Sequence, residues 1–67
     1  MKAVRGTVES YDPQSGRGLI VLENGEDDVR VNFIGSRGIR LAVGLRVQVQ
    51  RVHGRDAVYA FDVRVIP

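Results

Sequence analysis

The stretch Gly6-Thr-Val-Glu-Ser-Tyr-Asp-Pro-Gln-Ser-Gly-Arg-Gly-Leu-Ile20 decides the fold of this chain. Residues 4–11 alternate between apolar or small residues and polar ones, which is the period of a β-strand with one face buried. Pro13 and Gly16 then stand where a tight turn favours proline early and glycine late. Residues 17–22 form a mostly apolar run, whose expected inward members are Gly18, Ile20 and Leu22. The stretch therefore predicts two consecutive strands joined by a short turn.

The remaining sequence continues the β pattern. Residues 29–33, 45–52 and 57–66 are three further candidate strands, and no window carries a helical period. Asn24-Gly25 is a strong turn signal, and the glycine-containing stretch 34–44 is the longest connection. Three strands, a longer link and two more strands is the order of a small OB barrel. We therefore predict an all-β fold, a five-stranded antiparallel OB-fold barrel.

The alternation also predicts which side chains fill the barrel. Arg17 and Arg30 fall on the outward face of their strands, while Tyr59 and Phe61 share one face of the last strand and are assigned to the core. The other residues expected to be mostly buried are Val8, Ile20, Val29, Val31, Val47 and Val63.

Composition limits the class of protein. The chain has 67 residues, which suits one domain over residues 1–67, and no cysteine, which excludes disulfides and thiolate metal sites. No stretch approaches the roughly 20 apolar residues of a membrane span, and residues 1–6 do not resemble a signal peptide. We expect a cytoplasmic protein with no membrane partner.

Basic residues outnumber acidic ones only slightly. Ten Lys and Arg stand against eight Asp and Glu, for a net charge of +2, and all the basic residues except Lys2 are arginines. A guanidinium can pair with phosphate through two hydrogen bonds and can stack on a base. An arginine-rich surface can also reflect compositional bias alone, so charge does not by itself assign a partner.

Several residues at fixed spacing carry a family resemblance. The frame consists of Gly6, Val8, Asp12, Gly16, Gly18 and Ile20, followed by Val29, Val31 and Phe33. It resembles the cold-shock domain, which reads roughly G-x-V-x-W-F-N-x-x-K-G-F-G-F-I and then V-F-V-H-F. The resemblance implies an OB-fold domain that binds single-stranded RNA or DNA. Where that family has aromatic residues this chain has Ser10, Arg17, Leu19 and Arg30, and Asn32 stands at the histidine position.

The resemblance also implies a binding face on the second and third strands. Tyr11 and Phe33, at its margins, would stack bases, whereas Arg17 and Arg30 would contact phosphate or stack as planar cations. Leu19 and Asn32 would flank them. Replacement of aromatic rings by arginine shifts binding from stacking toward electrostatics, so we expect weak, salt-dependent binding of single-stranded RNA or DNA.

Other candidate sites are weak. His53 stands beside Gly54 in an apparent turn, and the acidic residues of 23–28 lack the alternating ligand spacing of an EF-hand loop. The glycines around Arg17 precede no helix, so they do not form a phosphate-binding loop. We expect no enzyme activity, no cofactor and no metal. The competing class is a protein-interaction or structural module, of OB or SH3-like barrel type, that does not bind nucleic acid.

Overall fold

A computed structural model describes residues 3–32 and 40–67. It contains five strands, β1 (Val4–Asp12), β2 (Arg17–Leu22), β3 (Val29–Val31), β4 (Arg46–His53) and β5 (Val58–Val65). The five predicted strands are therefore confirmed, although Phe33 lies outside the described residues. His53 ends β4 instead of lying in a turn. The described segments contain no helix long and apolar enough to cross a bilayer.

The strands close into a barrel in the order β1-β2-β3-β5-β4. This confirms the five-stranded OB-like barrel. The pairing is mixed rather than purely antiparallel, because β3 and β5 run parallel where Arg30 pairs with Tyr59. The reason is geometric. Strands in a ring can all be antiparallel only when their number is even, so a closed ring of five must contain a parallel pair.

The barrel interior is built from aliphatic side chains. The six residues predicted to be buried are buried, and Ile20, at 0% exposure, is the largest of the fully buried side chains. Removing apolar surface from water supplies the main stabilisation, at about 25 cal/mol per Å². Among the described residues the buried hydrophobic core comprises Val8, Ile20, Leu22, Val29, Val31, Leu41, Val47, Val49, Ala60 and Val63.

Two bulges break the simple alternation. In β1, Val8 pairs with Ile20 and Ser10 with Leu19, which leaves Glu9 as an extra residue. A bulge shifts every later side chain to the opposite face of the strand. Tyr11 consequently packs against the core instead of lying on the outward face.

The second bulge corrects the core prediction for β5. Between the pairs Gln48–Arg64 and Gln50–Phe61, β5 has two residues where β4 has one. Asp62, one of the two, has a φ of +51°, in the left-handed region. Ala60 and Val63 are therefore the inward residues. Assigning Tyr59 and Phe61 to the core was wrong, since both are half-buried on the outer side.

Close approach of β1 and β2 explains two glycines. A Cβ atom on Gly18 would lie 2.3 Å from the carbonyl oxygen of Ser10, and one on Gly6 would lie 2.5 Å from that of Val21. Real Cβ contacts are not this short, so only glycine fits at either position. Gly18 thereby allows β1 and β2 to lie close together beneath the outer surface that Ser10 and Leu19 share.

Candidate functional site

A groove of about 580 Å³ runs along the outside of the barrel over β2, β3 and β5. Gly18 and Val31 contribute to its floor. The groove is open to solvent along its length. The other residues that line it are Ser10, Arg17, Leu19, Arg30, Asn32 and Tyr59.

Strand register brings these residues together. Ser10 pairs with Leu19, Leu19 with Arg30, and Arg30 with Tyr59. Paired residues on neighbouring strands project from the same face of a sheet, about 5 Å apart. The four side chains therefore form one row across the barrel, which Val52 of β4 continues beyond Tyr59.

Four of the six residues predicted from the sequence lie together in this groove: Arg17, Leu19, Arg30 and Asn32. Tyr11 does not line it, because the β1 bulge turns its ring toward the core. Phe33 lies outside the described residues. A stacking role for Tyr11 or Phe33 stays a prediction.

Arg17 and Arg30 are exposed, and Asp12 is the cross-strand partner of Arg17. Within residues 3–32 and 40–67, no carboxylate lies within ion-pairing distance of either guanidinium. In the described part of the chain, three other arginines pair with acidic residues: Arg46 with Glu23 at 2.9 Å, Arg51 with Glu26, and Arg64 with Asp62 at 3.7 Å. The groove thus presents two cationic groups available to an anionic ligand.

Hydrogen bonds in the β1–β2 turn position Arg17 at the start of β2. The carboxylate of Asp12 accepts hydrogen bonds from the Gln14 amide at 3.0 Å and the Ser15 hydroxyl at 3.1 Å. The Arg17 amide donates to the Ser15 hydroxyl oxygen at 3.3 Å. Gly16, with a φ of +74°, supplies the left-handed residue that closes the turn. The local sequence therefore holds the Arg17 backbone at one end of the groove.

Tyr59 lines the groove, although its sequence pattern assigned it to the core. Its hydroxyl donates a long hydrogen bond of 3.4 Å to the Asp56 carboxylate. Its ring packs against Gly54, where a Cβ atom would lie 3.0 Å from Cε2. The β4–β5 turn therefore limits the positions open to this ring. Alternation alone does not predict the outward direction of Tyr59. In an unbroken strand Tyr59 would share the inward face of Val63, but the bulge at Asp62 places the two residues on opposite faces.

The chemistry of the groove combines cations with apolar and planar groups. Two guanidiniums can neutralise phosphate or lie flat on a base, and Leu19 and the Tyr59 ring supply apolar surface beside them. The Asn32 side chain can both donate and accept hydrogen bonds. An open groove with this lining suits an extended anionic polymer that carries planar groups.

Comparison with known proteins adds no assignment to this geometry. The sequence matches no protein-family model and no curated protein.

Proposed function

We propose that this chain binds single-stranded nucleic acid in the groove over β2, β3 and β5, as a diverged cold-shock-like domain. The observation that carries this proposal is the pair Arg17 and Arg30, both exposed and with no carboxylate of the described residues within ion-pairing distance, beside Leu19 and Tyr59. Proteins that bind single strands without sequence preference use this combination of cations and aromatic surface.

The location of the groove supports the same proposal. OB barrels that bind oligonucleotides use the face of their second and third strands. That support is an analogy at the level of the fold, and a fold hosts many functions. The charge and chemistry of Arg17, Arg30 and Tyr59 therefore carry more weight than the architecture. A cytoplasmic location belongs to the proposal, and cell fractionation tests it.

Binding of this kind depends steeply on salt. The slope of log affinity against log salt is negative, and each phosphate neutralised on a single strand adds about 0.7 to its magnitude, because counterions are released. If Arg17 and Arg30 each contact one phosphate, together they account for about 1.4 of that magnitude. We expect weak binding near physiological salt and clear binding at low salt.

The test is a titration of fluorescently labelled oligo-dT and oligo-U at several salt concentrations. Arg17→Ala and Arg30→Ala should each weaken binding about tenfold and reduce the slope by about 0.7. Arg5→Ala is the matched control. Arg5 is an exposed arginine on β1 without an ion-pair partner in the described part of the chain, and it does not line the groove.

Two results would contradict the proposal. No binding of either oligonucleotide at low salt would favour the protein-interaction module. An equal loss of binding in Arg5→Ala would show that net charge alone attracts nucleic acid, with no site in the groove.

A further inference from the structure

We infer that Tyr59 is the base-stacking platform of the groove, and that a bound strand lies with bases over β5 and its backbone along Arg17 and Arg30. This inference rests on the proposed function. It moves the stacking surface from β2 and β3, where the sequence resemblance implies it, to the parallel neighbour β5.

The register places Tyr59 beside the arginines. Tyr59 pairs directly with Arg30, so the two side chains project from adjacent strands on the same outer face. Both line the groove together with Leu19 and Arg17. A strand whose phosphates follow β2 and β3 would therefore have its bases within reach of the ring. Among the described residues, Tyr59 is the one aromatic side chain that lines this groove.

The ring is held before any ligand arrives. Gly54 packs closely against its edge, and the Asp56 carboxylate accepts the hydrogen bond from its hydroxyl. A platform restricted in this way loses little side-chain freedom when a base stacks on it. The contact with Gly54 also shows why a side chain at that position would displace the ring.

Charge indicates the orientation of the strand. The Asp56 carboxylate beside the Tyr59 hydroxyl repels phosphate. Arg17 and Arg30 attract phosphate on the β2 and β3 side, where the Asp12 carboxylate opposite Arg17 already accepts hydrogen bonds from Gln14 and Ser15. An unlike distribution of charge across one groove favours the backbone on one side and uncharged bases on the other. The phosphates therefore belong along the arginines, and the bases belong over Tyr59.

Intrinsic fluorescence tests the stacking contact directly. The chain has two tyrosines and no tryptophan, so a Tyr11→Phe background leaves Tyr59 as the one tyrosine emitter. Titration of this variant with unlabelled oligo-dT or oligo-U at low salt should quench tyrosine emission in parallel with binding, which is followed separately by anisotropy of a labelled oligonucleotide. Binding with unchanged Tyr59 emission would overturn the inference.

Three substitutions in the same background separate stacking from packing. Tyr59→Ala should weaken binding about 5- to 150-fold, the loss of one base–aromatic stack, and leave the salt slope unchanged. Tyr59→Phe keeps the ring and should bind within about twofold of the background. Tyr59→Leu keeps apolar bulk without a ring, so it should lose most of the affinity that Tyr59→Ala loses. Circular dichroism and thermal unfolding check that each variant folds.

The outcomes also separate this inference from the proposed function. Full affinity in Tyr59→Leu would show that bulk suffices and would overturn the stacking role, while salt-dependent binding through Arg17 and Arg30 would still stand. A reduced salt slope in Tyr59→Ala would place phosphate at β5 and overturn the orientation. No binding by the background protein at any salt concentration would overturn both.

Discussion

At the scale of single residues, the groove is defined by which charges are paired and which are not. Arg46, Arg51 and Arg64 have acidic neighbours, and exposed ion pairs of this kind contribute about 0–1 kcal/mol to stability. Among the residues described, no carboxylate lies within ion-pairing distance of Arg17 or Arg30, although Asp12 lies opposite Arg17 in the strand register. The Asp56 carboxylate accepts a hydrogen bond from the hydroxyl of the groove residue Tyr59. Its charge opposes binding of any polyanion nearby.

Removing that charge is therefore expected to strengthen binding. Asp56→Asn keeps a hydrogen-bond acceptor for Tyr59 and removes the repulsion of phosphate. Like charges about 4 Å apart in water repel by about 1 kcal/mol, and phosphates along the arginines lie farther than that from Asp56. We therefore expect oligonucleotide affinity to rise about twofold, and by no more than about fivefold, at low salt. The measurement is the anisotropy titration with oligo-dT.

The matched control for this prediction is Asp27→Asn, which makes the same change of charge. Asp27 is exposed in the β2–β3 loop and does not line the groove. A comparable rise in affinity for Asp27→Asn would show that only net charge matters, and weaker binding by Asp56→Asn would show that the carboxylate supports Tyr59 more than it repels phosphate.

At the scale of the strand, the bulges decide which side chains reach the groove. Arg17, Leu19 and Arg30 lie on strand segments that keep a strict alternation, so the sequence predicts their outward direction correctly. Tyr11 and Tyr59 lie on strands with an extra residue, at Glu9 and at Asp62–Val63. Hydrophobic alternation along one strand does not reveal such an insertion, because a bulge is defined by pairing with another strand.

This difference accounts for what the sequence could and could not predict. The cationic half of the site follows from a local period of two on β2 and β3. The aromatic half depends on Tyr59 meeting Arg30 across a parallel pair, a contact between residues far apart in the chain. One local signal was available in Asp62, because aspartate is enriched among the non-glycine residues that adopt positive φ.

The bulge in β5 leads to a prediction about Asp62. Asp62→Val places a β-branched residue at a φ of +51° and removes the ion pair with Arg64, so it should lower the free energy of unfolding by about 1–3 kcal/mol. Asp62→Gly loses the same side chain but accepts the backbone conformation, so its cost should be smaller. Urea unfolding followed by circular dichroism measures both. Equal destabilisation by Asp62→Val and Asp62→Gly would mean that the loss of side-chain contacts, and not strain in the backbone at position 62, lowers the free energy of unfolding.

At the scale of the whole molecule, an odd number of strands and a small core set the limits. A ring of five strands requires one parallel pair, and here that pair joins β3 to β5 and brings Arg30 beside Tyr59. The β3–β5 pairing that closes the barrel therefore also places Tyr59 in the groove. A chain of 67 residues has only a small core, which in domains of this size rarely supplies more than about 3–5 kcal/mol of net stability.

The small core makes the molecule sensitive to single cavities. Ile20 is 0% exposed, and shortening it to alanine typically costs about 2–5 kcal/mol in a packed interior. That loss is comparable to the whole stability of a domain this small. We therefore expect Ile20→Ala to be largely unfolded at 25 °C, with loss of the strand signal in circular dichroism.

Val21→Ala is the matched control on the same strand, because Val21 is 40% exposed and its substitution should cost less than about 0.5 kcal/mol. Ile20→Val removes one methylene, costs about 0.5–1.5 kcal/mol and should stay folded. A folded Ile20→Ala protein with unchanged thermal unfolding would contradict the assignment of Ile20 to the centre of the core, and with it the outward direction of Leu19 in the groove.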